Sequence, residues 1–248
     1  MRKRHQFILN YVETYEIASV QELAEQVGAS VETIRRDLNL MAENNLLHRI
    51  HGGAVSHKYR DIGRSFQTRQ RLNNEAKKQI ATKALSYIQE GMTIGLDASS
   101  SSWYFAQMLP DIRCTVITSS MHNIRTLSNK TAINIIATGG TYSPKYDAFY
   151  GSSSGYLLSR FQIDVAIFSC TGLCNGTIWE SNEMNAVMKR KMLAVSEKKF
   201  LLLDHSKYER KDLITLCDLA QITHLFSDNL PPQSIRQYCD ERHIPLIV

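Results

Sequence analysis

Apolar residues recur at helical spacing from the start of the chain. Phe7, Ile8, Tyr11, Val12 and Tyr15 fall on one face, which predicts a helix from about Arg2 to Tyr15. Ser19 stands where an N-cap belongs, ahead of "VQELAEQV", whose Val20, Leu23, Ala24 and Val27 make a second apolar stripe that Gly28 can end in a left-handed turn. Ser30 then opens a third helix, with Val31, Ile34, Leu38 and Met41 inward and Glu32, Thr33, Arg35, Arg36 and Asn39 off that stripe. Two helices joined by a short turn containing glycine, the second with a polar outward face, have the geometry of a helix-turn-helix. "LLHRIHGGAV" follows and reads as two short strands turning at Gly52 and Gly53, so the head of the chain is predicted to be winged.

The polar stretch "SHKYRDIGRSFQTRQRLNN" has no period and reads as a connector. Helical spacing resumes in "EAKKQIATKALSYIQEG". From there the short apolar runs "MTIGLD", "CTVITS", "INIIATGG", "VAIFSC", "FLLLD", "HLFSD" and "IPLIV" follow one another, with the helical stretches "WYFAQML", "NIRTLS", "NEMNAVMKRKMLAVS" and "PQSIRQYCDERH" between most of them. Such alternation predicts a mostly parallel sheet covered on both faces. The fold class is therefore α/β: a winged helix-turn-helix over residues 1–57, a linker over 58–74, and a mostly parallel α/β body over 75–248.

A chain of 248 residues can bury a sizeable core of this kind. No apolar run is long enough to span a bilayer, and the basic start "MRKRHQF" acquires acids before a secretory core could form, so a cytoplasmic protein without a membrane partner is expected. The five cysteines are odd in number and lack paired spacing, which suits reduced thiols. Cys170 and Cys174 have no further ligands nearby in sequence to complete a metal site, and neither metal nor cofactor is expected. Charge is uneven: residues 1–78 carry 13 Lys/Arg against 9 Asp/Glu, whereas the rest carry 16 against 15. The positive excess lies in the head, where a polyanion would dock.

This gives the adjacent arginines a chemistry. A helix entering the major groove by its N-terminal half can set one arginine fork on guanine O6 and N7 and a neighbouring one on phosphate. A solvated face laced with Glu32–Arg36 pairing is the competing reading; the cap, turn and wing in register favour double-stranded operator DNA. The candidate DNA-binding residues are Ser30, Glu32, Thr33, Arg35, Arg36, Arg49 and His51, with His48, Arg2, Lys3 and Arg4 as further phosphate contacts.

Ligands of parallel sheets gather at the carboxyl ends of the strands. Those ends carry Asp97 with Ser99, Ser100, Ser101 and Ser102; Thr118, Ser119 and Ser120; Gly139 and Gly140; Cys170, Thr171 and Gly172; and Asp204 with Lys207. Serines at a helix N-terminus and a lysine suit phosphate, and carboxylates accept sugar hydroxyls. Taken singly, each is an ordinary helix cap; together they predict a small anionic, hydroxylated ligand. Trp103 and Trp179 fit either the pocket or the core.

The pattern "SVETIRRDLNLM…HRIHGGAV" with "GMTIGLDASS…TVITSS…DVAIFSCTGL…LLLDHSKY…ITHLFSD" resembles the DeoR family of bacterial sugar-metabolism regulators over nearly the whole chain. The resemblance implies a transcription factor whose body binds a phosphorylated sugar and which assembles as a homo-oligomer, dimer or tetramer. "LDASSSSWYFAQMLPDI", "FSC" and "WESNEMNA" are most similar to the L-fucose branch, which implies an activator and L-fuculose 1-phosphate as effector. Many relatives have Thr-Asn-Ser where this chain has Thr118-Ser119-Ser120, so their amide contact is absent.

The body also resembles ribose-5-phosphate isomerase, which leaves an alternative: an isomerase-like enzyme with an appended DNA-binding domain. Aldose–ketose isomerisation needs a positioned carboxylate. The isomerases keep acids in the loop after the strand equivalent to "VAIFS", and here Cys170 to Gly176 contain none. Binding without turnover is the expectation, with no catalytic residue assigned; Glu180 and Glu183 downstream keep the alternative open.

Overall fold

The computed structural model describes residues 3–15, 17–44, 46–50, 52–56 and 63–248. The chain divides into two compact units, 1–62 and 63–248.

The first unit runs α1 (Lys3–Tyr15), β1 (Ile17–Ser19), α2 (Val20–Val27), α3 (Val31–Glu43), β2 (His48–Ile50) and β3 (Gly53–Val55). Ser19 starts α2 through a reciprocal cap: its hydroxyl accepts from Glu22 N at 3.1 Å, and the Glu22 carboxylate accepts from Ser19 N at 2.8 Å. Gly28, at φ 67°, ends the helix with its N–H on the Ala24 and Glu25 carbonyls. Ile8, Val12, Leu23, Ile34, Leu38 and Met41 form the core of this unit. The wing is an antiparallel sheet in the order β1-β3-β2. Its third strand, β1, is three residues long, too short to display alternation in the sequence. At Gly53 a Cβ would sit 2.3 Å from the Ala18 carbonyl oxygen, so only glycine lets β3 approach β1.

The second unit opens with α4 (Phe66–Arg71), α5 (Asn74–Leu85), β4 (Thr93–Leu96), α6 (Ser100–Met108), β5 (Cys114–Thr118), α7 (Met121–Leu127) and β6 (Ile133–Ala137). It continues with β7 (Thr141–Ser143), β8 (Ala148–Tyr150), α8 (Ser152–Leu158), β9 (Ile163–Phe168), β10 (Gly172–Cys174), β11 (Thr177–Glu180) and α9 (Glu183–Ala194). It closes with β12 (Ser196–Leu203), β13 (Ile214–Asp218), β14 (His224–Ser227), α10 (Gln233–Glu241) and β15 (Leu246–Ile247). Seven parallel strands make the main sheet, in the order β15-β14-β12-β9-β4-β5-β6. Separate apolar cores cover its two faces, one around Phe168, Met188 and Leu201, the other around Ile80, Phe105 and Phe200.

Several features depart from the expected pattern, among them the unforeseen helix α8 and the exposed Val31. The second half of the expected linker is helical: Ser65 caps α4, and Phe66 is buried, which corrects a connector reading for residues 65–71. A single apolar anchor in six residues leaves no period to detect. The antiparallel pair β7–β8 and the small sheet β10-β11-β13 were likewise not expected, since their strands are three to five residues long.

Candidate functional site

On α3, Ser30 accepts from Thr33 N at 3.2 Å and its hydroxyl meets the Thr33 hydroxyl at 2.8 Å, so both side chains secure the N-terminus of the helix. Arg35 and Arg36 project outward, with side chains 59% and 80% exposed. Each lies near Glu32, at 3.7 and 3.6 Å, distances of loose surface pairing that a phosphate or a base edge can displace. Arg36 is the more exposed of the two arginines on this face.

Arg49 is different. Its Nε donates to Asn39 Oδ1 at 3.1 Å and its Nη1 to the Gly53 carbonyl at 2.6 Å, bracing the wing against α3. Burial, with Arg35 nearby, lowers its pKa. These bonds make Arg49 a strut of the wing. His51 and Arg2 lie outside the described residues. A feature absent from the sequence reading is the buried Asp37 carboxylate, which accepts from Arg4 Nε at 2.5 Å and Nη2 at 3.0 Å and pairs with His5 Nε2 at 2.9 Å. Burial pushes the Asp37 pKa up, but the bonds from Arg4 and His5 outweigh it and hold it below the ordinary carboxylate value. This ties the first turn of α1 to the middle of α3.

In the second unit, Asp97 follows β4 and is nearly enclosed. Its Oδ1 accepts from Ser99 N at 3.1 Å and the Ser99 hydroxyl at 2.6 Å; its Oδ2 lies 3.2 Å from Lys189 Nζ and accepts from Ser169 N at 3.3 Å. Lys189, from α9, also contacts Glu180 of β11 and donates to the Ser169 carbonyl at 2.6 Å. Nothing in "MKRKM" singles out Lys189 in sequence; folding α9 across the strand ends does so. Burial lowers the lysine pKa, and the two carboxylates more than reverse that, so Lys189 is held charged.

Ser99 caps α6 by accepting from Ser102 N at 3.1 Å. The hydroxyls of Ser100 and Ser101 have no hydrogen-bond partner among the described residues, and their backbone N–H groups belong to the unpaired first turn of the helix. On the neighbouring strand, Thr118 donates to the Leu96 carbonyl at 2.8 Å, and Ser120 caps α7. A cavity opens beside them, with Asp97, Thr118, Ser119, Asn185 and Lys189 as polar lining and Ile117, Leu158, Met188 and Met192 as apolar lining.

Across the sheet, Asp204 follows β12 and accepts from Asn73 Nδ2 at 2.8 Å; its other oxygen is buried without a hydrogen-bond partner among the described residues. The Lys207 backbone N–H donates to the Asp204 carbonyl at 3.0 Å, and its ammonium has no hydrogen bond or ion pair within 4 Å among the described residues. Burial lowers its pKa against the opposing charge of Asp204. Lys77 of α5, unforeseen in the sequence, is buried with its pKa brought down to about 8 by burial, with Asp204 opposing and Lys207 and Arg69 assisting.

The remaining expected residues fall elsewhere. Gly139 and Gly140, at φ 62° and 109°, form a turn packed on Tyr150 and Ser154 and do not line the cavity; Thr138 does. Cys170 is buried, its Sγ 3.3 Å from the Gly172 carbonyl, and burial pushes its thiol pKa up to about 12, unlike a nucleophile. Thr171 bonds the Trp179 carbonyl at 3.1 Å, and Gly172 abuts the Arg210 backbone within β10, so both serve the small sheet. Trp103 donates to Thr126 at 2.9 Å, whereas the Trp179 indole N–H is buried without a partner among the described residues. No group of three potential metal ligands occurs among the described residues, and none of their helices is long and apolar enough to cross a membrane.

Comparison with known families decides what this two-part molecule is. Residues 4–60 match the DeoR-like helix-turn-helix domain, and residues 72–229 match the DeoR C terminal sensor domain. The chain belongs to the DeoR family. This DeoR-family protein is 53% identical over all of both chains to the L-fucose operon activator of Haemophilus influenzae. It is 37% identical to that of Escherichia coli, over 91% of this chain and 94% of the relative. It is thus a DNA-binding transcriptional regulator of the DeoR type, and its relatives are named as regulators. Ribose 5-phosphate isomerase A of Methanocaldococcus jannaschii matches 55% of each chain at 15% identity and a TM-score of 0.42.

Proposed function

We propose that this regulator activates an operon for L-fucose use and that its second unit senses a phosphorylated sugar, L-fuculose 1-phosphate. The observation that carries the sensor reading is Lys207: a buried ammonium group with no bonded partner among the described residues, following β12 beside Asp204 as the unpaired N-terminus of α6 follows β4. Phosphate would take the Ser100 and Ser101 hydroxyls and N–H groups with Lys207, while the sugar hydroxyls meet Asp97, Ser119 and Asn185. The apolar lining at Ile117, Leu158, Met188 and Met192 suits the C6 methyl of a 6-deoxy sugar. The activator sign and the sugar rest on the names of the relatives.

Ligand binding then alters the heads of a homo-oligomer, dimer or tetramer, so that operator half-sites are matched or missed, a coupling typically of about 1–3 kcal/mol. Catalysis is disfavoured by Asp97 and Glu180, whose carboxylates are engaged by Lys189 and by serines and so are not free to move a substrate proton. The test is a thermal-shift and operator-anisotropy panel with L-fuculose 1-phosphate, ribose 5-phosphate and free L-fucose. Selective stabilisation and changed operator affinity with the first, and no product from any, are the expected results; stabilisation by none of them would sink the sensor reading.

A further inference from the structure

We propose that α4 is part of the effector site, with Arg69 binding the phosphate of the ligand from the segment that follows the DNA-binding head. This rests on the sugar-phosphate reading above and adds a ligand-binding element to it.

Arg69 is half-buried, yet all its bonds run to neutral acceptors. Nη1 and Nη2 reach the Ala98 carbonyl at 3.3 and 3.2 Å, and Nε reaches the Arg64 carbonyl at 3.2 Å. No carboxylate lies within 4 Å of it among the described residues, in contrast to Arg4 on Asp37 and Lys189 on Asp97. These three bonds leave donors of the guanidinium unused, and all are long.

Its position supplies the missing anion. Ala98 lies between Asp97 and Ser99, so the guanidinium rests on the loop that feeds the open first turn of α6. Lys77 and Lys207 both feel the charge of Arg69, and both sense the same single carboxylate, Asp204. Lys77 and Lys207 act on the Asp204 carboxylate, and Arg69 adds a third positive charge beside the two lysines, an excess that a phosphate dianion would neutralise.

The helix is built to hold this arginine in place. Its guanidinium lies 5.5 Å from the ring centres of both Phe66 and Tyr146, and Phe66 stacks on His122 at 3.7 Å. Lys77 donates to the Arg69 carbonyl at 2.9 Å, and Tyr104 to the Gln70 carbonyl at 3.1 Å. Phe66 comes four residues after Ile62, the last residue of the first unit. Exchange of a neutral carbonyl for phosphate at Arg69 therefore acts on the first helix described after the head.

The test is calorimetric titration of the full-length protein with L-fuculose 1-phosphate at several salt concentrations. Arg69→Met keeps an aliphatic stem against Phe66 and Tyr146 and removes the charge; Arg69→Lys keeps the charge. Expected are affinity about tenfold lower for Arg69→Met with a shallower salt dependence, and a smaller loss for Arg69→Lys. Unaltered affinity and salt slope in Arg69→Met overturn the inference while leaving the sensor reading intact. Absence of binding by the unsubstituted chain overturns both. Should Arg69→Met fail to fold, hydrogen exchange on the unsubstituted protein decides: slower exchange across residues 66–71 on adding ligand supports the role, and unchanged exchange there refutes it.

Discussion

Lys189 Nζ lies 3.2 Å from Asp97 Oδ2 and also contacts Glu180, so one buried ammonium joins the end of β4 to α9 and β11. Replacing Lys189 with Met leaves two enclosed carboxylates without a cation, a change that typically costs about 3–5 kcal/mol. The fall in stability, measured by urea unfolding, is expected to be smaller in Lys189→Met/Glu180→Gln, where only one charge remains stranded. Equal losses in the two variants would mean that the lysine contributes by packing.

Arg36→Ala removes the most exposed cation of the α3 face, whose only pairing among the described residues is the loose contact with Glu32. Operator affinity is expected to fall about tenfold or more, as for loss of a base or phosphate contact of about 1–3 kcal/mol. Ligand affinity should stay within error of the unsubstituted protein. Anisotropy on operator and on scrambled duplex separates the cases: loss on operator alone marks a base contact, and parallel loss with a shallower salt slope marks a phosphate contact.

Effector affinity should depend on pH with a maximum near neutrality. Lys77, its pKa lowered by burial to about 8, is charged below that pH and loses its charge above it, and burial lowers Lys207 in the same sense. A phosphomonoester gains its second charge above pH about 6. Attraction therefore grows from acid toward pH 7 and declines as pH rises past 8. Calorimetric affinities from pH 5.5 to about 9.5 that show no alkaline decline would argue against a cationic phosphate site beside Asp204.

The apolar lining of the cavity makes a chemical distinction. L-tagatose 1-phosphate differs from L-fuculose 1-phosphate by a hydroxyl in place of a C6 hydrogen. If C6 meets Ile117, Leu158, Met188 and Met192, that hydroxyl is left without a partner, and the fuculose ester should bind about tenfold tighter or more. Met188→Gln should narrow the gap. Equal affinities in the unsubstituted protein would put C6 outside this lining.

The helical head was legible in the sequence because its signals are local. The Ser19 and Ser30 caps, the Gly28 stop and the stripes on α2 and α3 each act within one or two helical turns, where spacing in the chain is spacing in space. All seven runs read as strands fall within or overlap strands of the main sheet, since buried parallel strands are continuously apolar. Asp97, Ser100, Ser101, Asp204 and Lys207 could be named as strand-end residues for the same reason.

What only tertiary structure decided is which charges meet. Lys189 reaches Asp97 across 92 positions of sequence, Arg4 reaches Asp37 across 33, and Arg69 finds the Ala98 carbonyl across 29. Arg49 likewise gains from the fold a role that composition does not show, as a wing strut through its contacts with Asn39 and Gly53. Periodicity records which side of an element faces the core. It carries no record of which distant element packs on that side, and the charge of a buried side chain is set by that neighbour.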